Sequence, residues 1–326
     1  MTLLSCRLII FLGVHPVSSL ADEWRDKQVK KLGVVTWKVI YCLLSLLATL
    51  FFISSPSHAL DLNPFDVVPP TPNKTIFSTA LIHTEQEGPY ARGAQSGPTR
   101  TVSKNQIQLQ LGRSYSLGGY PGISFVQLPV GMVQPGGAAS NAPTDHGIGD
   151  MTVATALWPY VNSQTRTYLG IAGFLTLPTG SYSNQQLYNL GNKRVSGDIQ
   201  IGYQTELTKN LDGMLGFDAM WFSPNNQVGP NNAQLTQKPL YTSQIGPIYH
   251  INPSFSVAAT YLYVWGAETA LNGMSNNNAL QTHRYLLSAV ANTSKGRFML
   301  QYGTNLDTQF GLHETRRVIL RYTTVF

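Results

Sequence analysis

The chain has 326 residues, of which only 12% are charged, about half the share usual in soluble domains, while Gly, Asn, Gln, Ser, Thr and Tyr are plentiful and mean hydropathy is close to zero. That balance excludes a helical membrane protein and a highly charged soluble one. Half of the formal charge of +6 sits in the first 59 residues, and the sixteen basic and thirteen acidic residues after them form no basic cluster suited to nucleic acid.

Lys30, Lys31 and Lys38 precede an apolar run over 39–53, and Ser57-His58-Ala59 supplies a small-residue cleavage site. Together they compose a secretory signal with cleavage expected after Ala59. The run falls short of the roughly 20 residues that a membrane-spanning helix needs. Both cysteines, Cys6 and Cys42, lie in this part, so the remaining chain has no disulfide framework, and Cys42 precedes the apolar run, which is not a lipoprotein context. Residues 1–28 fit no signal, and the charged stretch 22–27 points to an over-called start with initiation near Val29 or Val34.

The segment 60–74 follows as a proline-rich lead. Pro64, Pro69, Pro70 and Pro72 keep it extended, and Phe65, Val67 and Val68 give it apolar surface to bury, so it is a candidate plug for the periplasmic mouth of whatever follows.

Over 75–326 the pattern becomes regular. Strands are predicted at 75–84, 105–116, 122–133, 149–158, 167–177, 195–207, 214–222, 240–249, 255–265, 283–291, 297–305 and 314–326. Most are close to the length of about 9 to 11 residues that a tilted membrane strand requires. In Gln106-Ile107-Gln108-Leu109-Gln110-Leu111 three glutamines alternate with three aliphatics. The last strand ends the chain on Phe326, with Val318, Leu320, Tyr322 and Phe326 on one face and Arg317, Ile319 and Arg321 on the other. Connections alternate in length: 85–104, 134–148, 178–194, 223–239, 266–282 and 306–313 are long, whereas 208–213, 250–254 and 292–296 are short turns. A soluble sandwich has no reason for that alternation. The expected fold is therefore all-β: an up-and-down antiparallel transmembrane β-barrel of about 12 strands, with short periplasmic turns and long external loops. A chain that stops on such a strand resembles the closing strand of bacterial outer-membrane β-barrels, which implies outer-membrane lipid and the barrel-insertion machinery as partners, with Tyr322 and Phe326 carrying the terminal signal and Thr324 in a place usually given to a bulkier apolar residue. Aromatics at strand ends, Trp158, Tyr160 and Tyr168 near one turn and Tyr261, Tyr263 and Trp265 climbing toward a long loop, fit interfacial girdles.

The same parity assigns an inner face. It places Asp150, Asp198, Glu206, Asp218, Arg317, Arg321, Gln106, Gln108, Gln110, Gln200, Gln204, Gln301 and Asn305 toward the lumen. Asp150, Asp198 and Asp218 are the expected partners of the two arginines, either as a selectivity lining or as pairs that hold the wall.

The ordered set Gly147-Ile148-Gly149-Asp150, then Leu177-Pro178-Thr179-Gly180-Ser181-Tyr182, then Gly197-Asp198, with the terminal Phe, resembles the phenol-degradation MetA-pathway family of outer-membrane transporters. The resemblance covers roughly 60–326. It implies a bacterial outer-membrane barrel that passes small, often aromatic or hydrophobic, compounds; the other reading is a structural or surface-interaction barrel whose Asn-rich loops bind a partner. The Gly147–Asp150 turn is no phosphate loop, since no helix follows it. Seven scattered histidines give no metal-ligand spacing, no cofactor is implied, and Ser288 and His283 fall on opposite strand faces, which disfavours an enzyme.

Overall fold

The computed structural model describes residues 61–326. The signal segment, its cleavage point and the start site lie outside these residues. Twelve long strands form one antiparallel wall: β1 Thr75–Ala91, β2 Ala94–Leu117, β3 Tyr120–Gly137, β4 Met151–Asn162, β5 Thr167–Leu177, β6 Ser196–Thr208, β7 Leu211–Phe222, β8 Leu240–Asn252, β9 Phe255–Gly266, β10 Leu280–Thr293, β11 Gly296–Thr308 and β12 Phe310–Val325. Each pairs with its neighbour in sequence, and β12 returns to β1 in a ladder from Ile76 opposite Val325 to Ala91 opposite Phe310. The barrel is closed and has no free edge. Among the described residues no helix is present.

The wall follows from period-two alternation. On β2, Ile107 and Leu111 are 47% and 58% exposed on the outside while the intervening glutamines turn inward. On β6, Ile199 and Ile201 face out, and Asp198, Gln200 and Gln204 are buried inside. An outer surface this apolar all round is a lipid-facing surface. Tyr263 stacks on Trp265 there, ring centres 5.0 Å apart, and on His283 at 4.8 Å, with Tyr261 tilted against His283.

All twelve predicted strands are present, and the closing strand pairs with β11 and β1 as parity requires. The long connections differ from expectation. Residues 85–104 are mostly ladder, with Glu87 opposite Thr101, and the chain reverses at Arg92 and Gly93, both at positive φ. Its glycines and prolines sit within and beside a tight hairpin. Residues 306–313 likewise narrow to a turn at Gln309. Two of the remaining loops join in a small four-stranded sheet in the order Met274–Ser275, Thr269–Leu271, Ala233–Gln237, Asn225–Val228.

Strand β12 carries a β-bulge. Glu85 faces Arg316 and Gln86 faces Glu314, so Thr315 has no opposite residue. The extra residue reverses the inside and outside assignment of everything before it. Glu314 thus shares the inner face with Arg317.

Close approach of β8 and β9 requires Gly246, because a Cβ there would lie 2.0 Å from the carbonyl oxygen of Ala259. Gly246→Ala is expected to push the two strands apart and to cost about 1–3 kcal/mol. Urea unfolding of the protein in lipid vesicles measures this, and an unchanged midpoint would contradict it.

Candidate functional site: the barrel lumen

The lead enters the barrel from the end where the short turns lie. Asn73 N–H donates to Ser114 O at 3.1 Å, and the Ser114 hydroxyl donates to Thr71 O at 2.6 Å, which fixes the lead at the rim. Further in, Leu62 and Val67 are buried against Trp158, Tyr168, Met214 and Ile248. The Trp158 indole N–H donates to Val67 O at 2.6 Å. Trp158 and Tyr168, expected in the outer girdle, instead turn inward onto the lead; their position in the inward register of β4 and β5 decides this, while Tyr160 stays outside.

Three ion-pair groups occupy the inner wall. In the first, Glu314, with no exposed surface, accepts a fork of two bonds from Arg317, Nε to Oε1 at 2.8 Å and Nη2 to Oε2 at 3.0 Å. Arg284 on β10 lies 3.5 Å from the same carboxylate and donates to Asn305 at 3.0 Å. Asp61 of the lead closes the group, 3.2 Å from Arg317 and 3.6 Å from Arg284. In the second, Asp66 of the lead lies 3.5 Å from Arg321, and the Arg297 guanidinium sits 4.9 Å over the Phe65 ring. Gln301 reaches the lead through Asn63 at 3.4 Å and holds Ser288 at 3.0 Å.

The third group lies at the short-turn rim. Arg166 Nε donates to Asp212 at 2.8 Å, with Glu206 3.2 Å from another of its nitrogens, and Gln204 donates to Asp212 at 2.9 Å. Arg166 stands on a turn between β4 and β5, and these carboxylates hold its guanidinium more firmly charged than usual. His250 Nε2 lies 3.0 Å from Asp212 and its Nδ1 3.1 Å from Ser256 Oγ. The order Ser256, His250, Asp212 superficially matches a hydrolytic triad. Here Asp212 is saturated by Arg166 and Gln204, and Ser256 is buried in the wall, so the arrangement ties β7, β8 and β9 together. Ser288 faces inward and His283 outward, where His283 bonds to Tyr261.

The arginines therefore do not meet the carboxylates expected from parity. Arg317 and Arg321 are answered by Glu314, Asp61 and Asp66, because the bulge brings one acid inside and the lead brings two more. Asp150 has a different task. Its two oxygens accept the backbone N–H groups of Gly180 at 2.9 Å and Asn192 at 2.7 Å. Met151 N–H donates to Thr179 Oγ1 at 2.9 Å, and a Cβ on Gly180 would come within 2.7 Å of the Gly149 carbonyl carbon. The Gly147-Gly149-Asp150 and Pro178-Thr179-Gly180 motifs thus pack on each other and anchor the 178–195 loop. In that loop burial pushes the Arg194 guanidinium down to about 10, opposed by nearby Asp150, and its plane lies 4.5 Å over Phe222. Gln106, Gln108 and Gln110 are half-buried on the inner face, and Gln200, Gln204, Gln301, Asp198 and Asp218 are buried there.

Between the lead and the β2–β6 wall a cavity of about 540 Å3 remains. Phe125 and Phe174, either side of Ala154, meet edge to face on its wall at 6.1 Å, Trp158 also lines it, and the amides of Gln110, Gln127 and Gln200 supply its polar groups.

A closed twelve-strand barrel with a lipid-facing exterior and a charged, amide-rich interior defines an outer-membrane β-barrel of the channel class. The family model described as "Putative MetA-pathway of phenol degradation" matches residues 96–312, and the chain belongs to that family. A second model, NnrU protein, matches residues 3–78, of which only 61–78 are described. Among solved structures the chain is similar to an outer-membrane channel from Pseudomonas putida F1, with 28% identity, a TM-score of 0.78, and coverage of 82% of this chain and all of that one. It also resembles in fold the beta domain of the Bordetella autotransporter BrkA, with 12% identity, a TM-score of 0.50, and coverage of 78% of this chain and 100% of that one. No curated protein matches.

Proposed function

We propose that this protein is a non-enzymatic channel that passes small organic compounds, aromatic or hydrophobic in body with a few polar groups, through the lumen of the bacterial outer membrane. The observation that carries this reading is the cavity between lead and wall, where Phe125, Phe174 and Trp158 offer apolar faces and three glutamines offer hydrogen bonds to a neutral or weakly polar guest. The family and the similarity to a channel support it. In this reading the chain is exported by a Sec-type signal cleaved after Ala59. The insertion machinery recognises Tyr322 and Phe326, the short turns face the periplasm, and the lead serves as a periplasmic plug.

Proteoliposome swelling tests the function. Uptake of 4-hydroxybenzoate well above that of protein-free liposomes is expected, with exclusion of the trisaccharide raffinose. Swelling no faster than in protein-free vesicles for every solute would instead leave a structural or surface-interaction barrel.

A further inference from the structure

On the inner face of β2, one step beyond Gln106 toward the long-loop end, stands Lys104. It is half-buried between Thr84 of β1 and Val133 of β3, both of which are buried, yet its ammonium forms no hydrogen bond or ion pair with a described residue. The acids whose charge reaches it are Glu314 and Asp150. Both are spent, Glu314 on the fork from Arg317 and Asp150 on the backbone of Gly180 and Asn192. Arg317, opposite Thr84 on β12, adds a second positive charge nearby. An ionisable side chain kept inside a membrane protein without a partner marks a solute or ion pathway.

What surrounds Lys104 narrows the solute. Val102, the next inner residue toward the long loops, is buried together with Val133 beneath Tyr188 and Leu190 of the 178–195 loop, so an apolar roof lies beside the cation. In the other direction follow Gln106, Gln108 and Gln110, and none of their side-chain amides has a hydrogen-bond partner among the described residues. Gln110 lines the cavity between lead and wall. The inner face of β2 therefore runs about 20 Å, at the rise of an extended strand, from an unpaired cation to that cavity. Elsewhere the polar groups of the wall are tied to one another or to the lead: Arg284 and Arg317 to Glu314 and Asp61, Arg321 to Asp66, Gln204 to Asp212.

We infer that Lys104 receives the carboxylate of an organic monoanion with an apolar body, and that Gln106, Gln108 and Gln110 pass it along β2 to the cavity. One unpaired ammonium matches one negative charge, and the roof formed by Tyr188 and Leu190 matches a ring or short hydrocarbon body. A dianion such as phosphate finds no second uncommitted cation beside Lys104, and a neutral solute gains nothing from it. The glutamine amides donate N–H groups to the carboxylate without holding it as a fixed charge would, which suits passage. This inference rests on the lumen as a solute path and names the charge of the solute.

Binding, measured apart from transport, tests it. Isothermal titration calorimetry of the full folded protein in detergent at low salt compares 4-hydroxybenzoate with its neutral counterpart 4-hydroxybenzamide. Wild type should bind the anion about tenfold or more tightly than the amide, the worth of one charge-assisted hydrogen bond. Lys104→Gln should lose that preference while its affinity for the amide stays as in wild type, which also shows that the variant is folded. Equal wild-type affinities, no binding of 4-hydroxybenzoate, a preference retained in Lys104→Gln, or a loss of both ligands alike in that variant would each overturn the inference. Swelling without charge-selective binding would keep the channel and sink this site, whereas Lys104-dependent binding by a protein that admits no solute would keep the site and sink the channel.

Discussion

Deleting residues 61–70 is expected to raise single-channel conductance in planar bilayers several-fold and to reduce noise from partial closures. The lead lies inside the barrel near the short-turn end, where Leu62 and Val67 pack into the apolar interior. It also carries two acids, Asp61 and Asp66, that neutralise Arg317 and Arg321. Its removal widens the path and makes the lumen two charges more positive, so the conductance gain should come with a shift toward anion selectivity, read as a change in reversal potential under a salt gradient. A point variant separates the two effects. Asp66→Asn loses one charge but no bulk, and should shift selectivity with little change in conductance. Conductance unchanged by the deletion would refute the plug.

The second large effect concerns Glu314. Glu314→Ala leaves Arg284 and Arg317 buried with Asp61 as their remaining acid, and removing one member of a buried ion group costs about 3–5 kcal/mol. Guanidinium unfolding of vesicle-inserted protein should show the loss as a lowered midpoint. Replacing Arg284 by Met in the same chain should recover part of it, because the stranded charge is then gone. An additive double variant, or a single variant as stable as wild type, would mean that the carboxylate does not hold the wall.

The strand count, pairing order and inner face of this barrel were legible because alternation is a local signal: Gln106, Gln108 and Gln110 declare their side within six residues. The partners of the luminal arginines were not legible, and the cause is physical. Parity is lost at a single inserted residue, Thr315, and nothing local in sequence marks where a ladder slips. Asp61 and Asp66 were hidden for another reason, since they belong to a segment outside the wall whose contacts, up to 256 positions away in sequence, no periodicity encodes. Asp150 was placed correctly on the inner side, yet both its oxygens are spent on loop backbone, a role that only the meeting of two distant turns reveals. The expected connection over 85–104 is mostly ladder, because this hairpin continues past the length that a membrane strand needs, and that length is the one that set the expected boundary.

The seam between β1 and β12 is also where the lead is stitched in. Asp61 and Asp66 find their arginines on β12, the last strand to be made, while the lead is covalently joined to β1, the first. Those bonds can form only after the two ends of the wall have met. Docking of the lead thus reports that closure is complete, and a chain arrested one strand short would leave the lead without either of its β12 anchors, with an open edge and two unsatisfied acids exposed together.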